Sequence, residues 1–559
     1  MGKESREMAT EARLSRPKEE PMSKSPDLKE EVNSIKIKVY VGEDGRVVLK
    51  PSNKRLSTEL SKLEESVYDI KSNEWRISVR DYISVRGELR RNKLVFDEIP
   101  KGTLRIAGKE MDEEEFELAG DIYDMLLPFQ REGVRYALSR RGRIIIADDM
   151  GLGKTIQALA VSYYYRSEWP LLIIAPASLL DDWADACKRF LGEEAMVMRR
   201  KGDFGQTIGV VSYEVASSNV SRLLEHKAGV VIVDECHYLK SLNTKRTKAI
   251  VPLLQKVPRA ILLSGTPAVS RPLELYPIIA SIDRTIFPRF AEYGARYCNG
   301  RKVGLWYDYK GCSNAEELHY VLKKCLMIRR TKDEVLSQLP PKFRRQVILQ
   351  CEGKQSDPRK EVVGESVDAN VVVQYKEAVK LKMGPVKQYL TTMLEKSMKF
   401  VVFCHHSEMM DGIEEFFVER RVPMIRIDGS VPSGNRHPLV RDFQENDEIR
   451  VALLSITACS TGLTLTAGRA VVFAELYWNP GVLLQAEDRI HRIGQKGSVD
   501  IIYLVARGTI DEYVWPKLLS KLNVLESLGI GSNQLKNVGV SSQSSGQKTL
   551  YQLNIKKCN

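Results

Sequence analysis

The chain has 559 residues, 43% of them hydrophobic, which exceeds what one hydrophobic core usually organises and is enough to bury several. Lys and Arg outnumber Asp and Glu by 85 to 73, giving a net charge of +12 that favours a polyanionic partner. Nine cysteines without a CxxC pair argue against a zinc ribbon and a disulfide framework, and no stretch reaches the ~18 to 20 continuous apolar residues of a membrane span, so a soluble protein of a reducing compartment is expected.

Residues 1–35 alternate acids and bases with Ser and Pro and have few large apolar side chains, which predicts a disordered tail. From Lys36 the runs IKIKVYV and RVVLK flank GEDG, a strand–turn–strand pattern that opens a small domain, 36–109. That segment carries 17 Lys and Arg against 11 Asp and Glu, a net of +6 out of the +12. Trp75 and Tyr82 stand among Arg76, Arg80, Arg86, Arg90 and Arg91. Such a composition suits nucleic acid by base stacking and phosphate contact, or equally a small core with charges around it. The acidic run EMDEEEFE from Glu110 reads as a solvated linker, 110–123.

Beyond the linker, the runs RIIIAD, PLLIIAP, IGVVSY, VVIVDE and RAILLSG predict one set of buried parallel strands, and KFVVFC, MIRIDG, RVALLSI, RAVVFAEL and VDIIYLV a second. Two tandem α/β units of parallel sheets flanked by helices follow, at 124–284 and 384–530, separated by a helical, basic insertion and connection at 285–383. Residues 531–559 read as a tail.

The first chemical signal is DDMGLGKT, Asp148 to Thr155, between a strand and a helix. Gly151 and Gly153 let backbone N–H groups approach phosphate oxygens, with Asp149, Met150 and Leu152 completing the loop. Lys154 reaches the β- and γ-phosphates and Thr155 ligates Mg²⁺. The strict GxxxxGK[ST] pattern fails at its first position, where Asp148 stands. In VVIVDECH, Asp234 is placed to hold Mg²⁺ through water and Glu235 to orient and deprotonate the attacking water. QAEDRIHRIGQ then puts Arg489 and Arg492 at i and i+3, neighbouring positions of a helix, where both guanidinium groups could face a γ-phosphate.

Gln130 in LLPFQREGV, DDMGLGKT, APASLLDDW, DECH, LLSGTP, FCHH, LSITACSTGLTLT, WNPG and QAEDRIHRIGQ stand in the order of superfamily 2 Swi/Snf-related ATPases, and residues about 124 to 530 resemble that family. The resemblance implies two RecA-like lobes and a DNA-stimulated ATPase tracking along duplex DNA, with Gln130 reading adenine and Ser178, Thr457 and Trp478 toward the DNA. Within it, MIRRTKDEVLSQLPPK, FCHHSEMMDGI and DEYVWPKL are similar to the HARP-type (HepA-related) annealing helicases, and SVYDIKSNEWRISVRDYISV looks like part of a HARP domain. This closer likeness implies rewinding or remodelling of branched DNA, as at stalled forks, in the nucleus. It brings in replication protein A as a candidate partner, without a clear binding segment in residues 1–35. A nucleosome-remodelling ATPase and a DNA-binding scaffold with a decayed site are the alternatives. Cys404, His405 and His406 have the look of a metal cluster, but a strand-end position favours structure or DNA contact.

Overall fold

The computed structural model describes residues 36–52, 54–91, 94–109, 115–199, 207–265, 267, 271–336, 339–351, 367–457, 463–492, 494–529 and 539–542. The expected tail 1–35, most of the acidic run from Glu110, and the stretch Cys459 to Thr461 lie outside the described residues.

In the N-terminal module, β1 (Lys36–Val41), β2 (Val47–Lys50), β3 (Val67–Asp69), β4 (Glu74–Ile77) and β5 (Val95–Phe96) lie in the order β3-β4-β2-β1-β5, antiparallel except at β1–β5. Alternation along β1 turns Ile37, Val39 and Val41 inward, where they share a core with Tyr82, Val85 and Leu89 from one face of the helix Val79–Arg91. Trp75 and Tyr82 belong to that core, 7% and 0% exposed, and the Trp75 indole N–H donates to the hydroxyls of Ser52 and Ser57 at 2.9 and 3.3 Å. The expectation of Trp75 as a DNA contact is therefore corrected: its ring is taken up by packing, with Tyr68 5.1 Å away.

The first lobe is a parallel sheet of β6 (Arg143–Ile146), β7 (Leu171–Ala175), β8 (Met196–Met198), β9 (Ile208–Ser212), β10 (Val230–Val233) and β11 (Arg259–Leu263). After a short antiparallel hairpin, β12 (Arg301–Val303) and β13 (Trp306–Asp308), the chain returns and adds β14 (Met327–Ile328) beside β6. The order is β14-β6-β11-β10-β7-β9-β8.

The second lobe, also parallel, consists of β15 (Lys342–Leu349), β16 (Phe400–Cys404), β17 (Met424–Ile427), β18 (Val451–Ser455), β19 (Ala470–Phe473), β20 (Val499–Ala506) and β21 (Gly539–Ser542), in the order β17-β18-β16-β19-β20-β15-β21. Parallel strands buried between flanking helices give two RecA-like lobes. Two boundaries differ from the sequence expectation. The segment 285–383 gives β14 to the first sheet and β15 to the second, and the expected tail 531–559 supplies β21.

The module is fastened to the first lobe through a buried carboxylate. Glu317, on the helix Ala315–Val321, accepts from Arg296 Nη2 (2.6 Å) and Nε (3.0 Å), from the Tyr297 hydroxyl (2.8 Å) and from the backbone N–H of Val41 (3.0 Å). Four donors exhaust a carboxylate's accepting capacity. Arg296, from the helix Phe290–Tyr297, also donates to the carbonyls of Val39 (2.7 Å) and Asp97 (3.1 Å). A β-carbon on Gly102 would lie 2.0 Å from the Ile286 carbonyl oxygen, so backbone meets backbone along this seam.

Removing one partner of a buried pair leaves an uncompensated charge, at a cost of about 3–5 kcal/mol. Glu317→Ala is expected to raise hydrogen exchange across β1 and β2 and to lower the melting temperature. Unchanged exchange at Val39 and Val41 would show that the clasp does not hold the seam.

Candidate active site between the two lobes

In the first sheet β11 lies between β6 and β10, so the loops leaving these three strands converge. The loop after β6 turns through Gly151 (φ +86°) and Gly153 (φ +74°) into the helix Lys154–Tyr164, and positive φ at both positions favours glycine. Gln130 caps its own helix by accepting from the Leu127 N–H (2.9 Å) and donates to the Leu152 carbonyl (3.0 Å), so it braces this loop. The Lys154 ammonium donates to the carbonyls of Asp148 (2.9 Å) and Asp149 (3.3 Å).

After β10 come Asp234 and Glu235. Asp234 accepts from the Trp183 indole N–H (2.9 Å) and the Glu235 backbone N–H (2.8 Å), and Glu235 sits at φ +48°, a left-handed conformation that non-glycine residues enter only when the surroundings impose it. Burial and the neighbouring Glu235 charge push Asp234 up to about 6. Burial acts on Glu235 as well, but the His237 ring 3.1 Å away and the Lys154 charge outweigh it and hold that carboxyl below its usual range. Two adjacent acids are thus drawn apart in acidity. From the end of β11, Ser264 donates to Glu235 at 3.5 Å, and a β-carbon on Gly265 would stand 2.6 Å from Met150.

The second lobe closes the site. Its helix Pro480–Glu487 ends at Glu487, so Arg489 and Arg492 lie in the turns beyond it and not on the helix expected from the sequence. Both still reach the first lobe: Met150, Gly151, Gly153, Lys154, Thr155, Trp183, Asp234, Glu235, Arg489 and Arg492 line one cavity of about 280 Å³. Arg492 packs over the loop, its Cβ 3.1 Å from where a β-carbon on Gly151 would be, and donates to the Thr464 hydroxyl (2.8 Å). Arg489 is 6% exposed, and among the described residues its Nε has no hydrogen-bond partner. Buried donors are nearly always satisfied, so an anion in the cavity is the natural complement.

A set of residues that sequence reasoning left without a role holds the two lobes in register. Asp148, the misfit in the glycine pattern, is fully buried and accepts from Arg330 through Nε (3.0 Å), Nη2 and the backbone N–H (3.0 Å), and from Gln157 (3.0 Å). Asp149 accepts from Arg329 Nη2 (2.9 Å) and the Lys332 N–H (3.2 Å). The Lys332 ammonium then crosses to Asp488 (2.8 Å) and the His491 carbonyl. Behind it Arg344 and Lys342 hold Glu487, which against its burial stays down to about 2. The only advance signal was the MIRRTKDE stretch, whose partners lie more than 150 residues away in sequence.

The remaining candidates are dispersed. Ser178 lies in the turn after β7, and the exposed Thr457 bonds Ser455 at 2.8 Å just after β18. Trp478 is half-buried between Tyr375 and Tyr513. Arg76 pairs with Asp44 and Glu74, Arg90 with Glu98, and Arg91 with Glu88, whereas Arg80 is exposed. The His405 and His406 N–H groups both donate to buried Glu475 (2.8 and 2.9 Å), a structural turn that also takes up the His406 ring.

Arg330→Met should strand the Asp148 carboxylate and cost about 3–5 kcal/mol of first-lobe stability. Adding Asp148→Ala removes the orphaned charge and should recover part of that loss. Chemical denaturation of both variants checks this, and purely additive losses would contradict the pairing.

The SNF2-related domain matches residues 129–409 and the helicase conserved C-terminal domain matches residues 382–494. The SWI/SNF-related matrix-associated actin-dependent regulator of chromatin subfamily A-like protein 1 of Xenopus laevis is 40% identical over 522 residues, 87% of this chain and 54% of the relative. Its Caenorhabditis elegans homologue is 34% identical over 544 residues, 90% of this chain and 77% of the relative. A Bos taurus protein named DNA annealing helicase and endonuclease ZRANB3 is 43% identical over 436 residues, 72% of this chain and 40% of the relative. The chain spans about half the length of the vertebrate relatives it matches. With both lobes matched in order and the cleft between them lined as described, the chain belongs to the SNF2-related, SWI/SNF-like family of helicase-type proteins.

Proposed function

We propose that the chain is a DNA-stimulated ATPase that rewinds or remodels branched DNA, working in the nucleus. The observation that carries the ATPase half is the single cavity in which Lys154, Thr155, Asp234 and Glu235 of one lobe face Arg489 and Arg492 of the other. The DNA half is supported by the similarity to a relative named an annealing helicase and by the net charge of +12. The segment 36–109 is the HARP-like module of this reading, and Arg76, Arg80, Arg90 and Arg91 are its candidate phosphate contacts.

ATP enters with its phosphates on the loop Asp149–Thr155. The Lys154 ammonium exchanges its two carbonyl partners for β- and γ-phosphate oxygens. Gln130, now braced on the loop, is the candidate for the adenine edge. Mg²⁺, held by Thr155 and Asp234, would neutralise charge on the phosphates. Glu235, kept ionised by His237 and Lys154, accepts the proton of the attacking water, and the bond to the γ-phosphorus forms as the bond to the β-bridging oxygen breaks. Arg489 and Arg492 stabilise the charge that spreads over the γ-phosphoryl oxygens, so turnover requires lobe closure.

Hydrolysis measured without nucleic acid and with single strands, duplex, forked DNA, RNA and nucleosomes should be highest on DNA with a junction. Lys154→Ala and Glu235→Gln should abolish turnover while DNA binding survives, and Arg492→Ala should lower kcat by about 10³-fold or more. Near-normal turnover in the first two variants, or a loss under tenfold in the third, removes the assigned roles. Stimulation by nucleosomes beyond that by free DNA would favour a remodeller.

A further inference from the structure

The hairpin β12–β13 is built against the usual economy of a protein surface. At its tip Leu305 is 91% exposed and Trp306 80%, with Tyr307 at 61% and Val303 at 56% beside them. Residues pair Arg301 with Asp308, Lys302 with Tyr307 and Val303 with Trp306, leaving Gly304 and Leu305 as a two-residue turn, with Gly304 at φ +60°. Scattered single apolar residues need no explanation, but four adjacent ones on a protruding element mark an interaction site.

An isolated two-stranded hairpin is marginal in water, so this one depends on its base. Tyr309 enters a slot against the helix Phe290–Tyr297: its ring meets Phe290 edge-on at 5.0 Å, and β-carbons on Gly294 and Gly300 would come within 2.6 and 2.7 Å of it. Tyr307 stacks on Tyr309 at 5.9 Å with planes 13° apart. The tip is thus an aromatic and apolar edge on a rigid mount. Around it stand Arg301, Lys302 and Lys310 against one carboxylate, Asp308, which lies 3.9 Å from Arg301. Exposed rings interleaved with cations fit a partner that offers flat apolar faces beside regularly spaced negative charges.

We infer that this hairpin is a stacking edge for the open end of a base-pair stack, such as the junction where a fork divides, with Trp306 and Leu305 against the terminal bases and Arg301, Lys302 and Lys310 on the flanking phosphates. The inference rests on the DNA-directed reading above and adds to it the element that recognises the junction. The mount explains why the recognition is fixed in space. The helix that grips Tyr309 is the one that carries Arg296 into the N-terminal module, so hairpin and module are held by a single element of the first lobe.

The test uses the full chain and a fork carrying 2-aminopurine at the junction base, with blunt duplex, single strands and an internally labelled duplex as the other arms. In the wild type the junction probe should change its fluorescence on binding, and the internal probe should not. Trp306→Ala with Leu305→Ser should abolish the junction signal and weaken fork binding by about tenfold or more, the scale of losing one or two base–aromatic stacks. Duplex-stimulated ATP hydrolysis should stay within about twofold, and Trp306→Phe should retain most of the fork affinity. Unchanged junction fluorescence and fork affinity in the double variant overturn the inference while leaving the ATPase reading intact. So does an equal loss on blunt duplex and single strands. Loss of self-association by sedimentation, without loss of fork binding, assigns the hairpin to a second copy of the chain and overturns it as well. Absence of DNA stimulation in the wild type overturns the parent reading instead. Hydrogen exchange in Phe290–Tyr297 should match the wild type, showing that the mount is folded.

Discussion

The buried pair of Asp148 and Arg330 is the contact on which the arrangement of the cleft depends. Each ion costs several kcal/mol to bury, so the pair is tolerable only with full hydrogen bonding, which Gln157 and the Arg330 backbone N–H supply. Its geometry is consequently tightly set. Arg330 stands two residues beyond the end of β14, the strand that joins the edge of the first sheet beside β6, and Asp148 stands two residues beyond the end of β6. Pairing of these two strands therefore brings the ions together, and the ions fix where the glycine loop begins. Residues close to Arg330 in sequence extend the effect, Arg329 to Asp149 and Lys332 to Asp488. The loop that would hold phosphate and the turn that carries Arg489 and Arg492 are linked through the hydrogen-bonded residues Arg329, Arg330 and Lys332.

The same cleft shows how two carboxylates next to each other acquire different chemistry. Asp234 faces the Trp183 indole and the Glu235 backbone, with no ion pair to a cation among the described residues, and burial raises it. Glu235 turns through its left-handed backbone toward His237 and Ser264 and stays ionised. An ordinary β conformation at Glu235 would aim its side chain elsewhere, so the local strain sustains the difference. A divalent cation near Asp234 would offset the penalty that raises it.

Legibility in the sequence followed the range of the interactions. β6, β7, β9, β10, β11, β16, β18, β19 and β20 are dominated by Ile, Val, Leu, Ala and Phe and buried along nearly their whole length, and such runs can be recognised without knowing their neighbours. β15 was not recognised because it mixes Lys342, Arg344 and Arg345 with apolar residues. Arg344 is buried only because Glu487, 143 residues away, receives it. β14 has two residues and β21 reads GVSS, neither of which carries a periodic signal. In the cleft, the loop glycines, Lys154, Asp234 and Glu235 were legible because their chemistry is local. The partners of Asp148 were not, since a buried acid announces its cation only through the fold. Trp75 shows the converse: aromatic and basic composition did not distinguish a stacking platform from a core, and the hydroxyls of Ser52 and Ser57 that satisfy its N–H decided for the core.

The position of the hairpin follows from the connectivity of the first lobe. The chain leaves that lobe's sheet after β11, forms the helices that clasp the N-terminal module and grip Tyr309, and returns through β14 before crossing to the second lobe. Module and hairpin are therefore held on the first lobe by direct contact, and the chain passes to the second lobe from Lys332 onward. The helix Asp511–Ser527 then returns to the first lobe, where Leu525 and Leu528 join its core and the His319 ring lies 3.0 Å from the Leu528 carbonyl. On the proposed DNA-directed reading, recognition of branched substrates falls to elements seated on the first lobe, because the helix Phe290–Tyr297 holds both the module and the base of the hairpin.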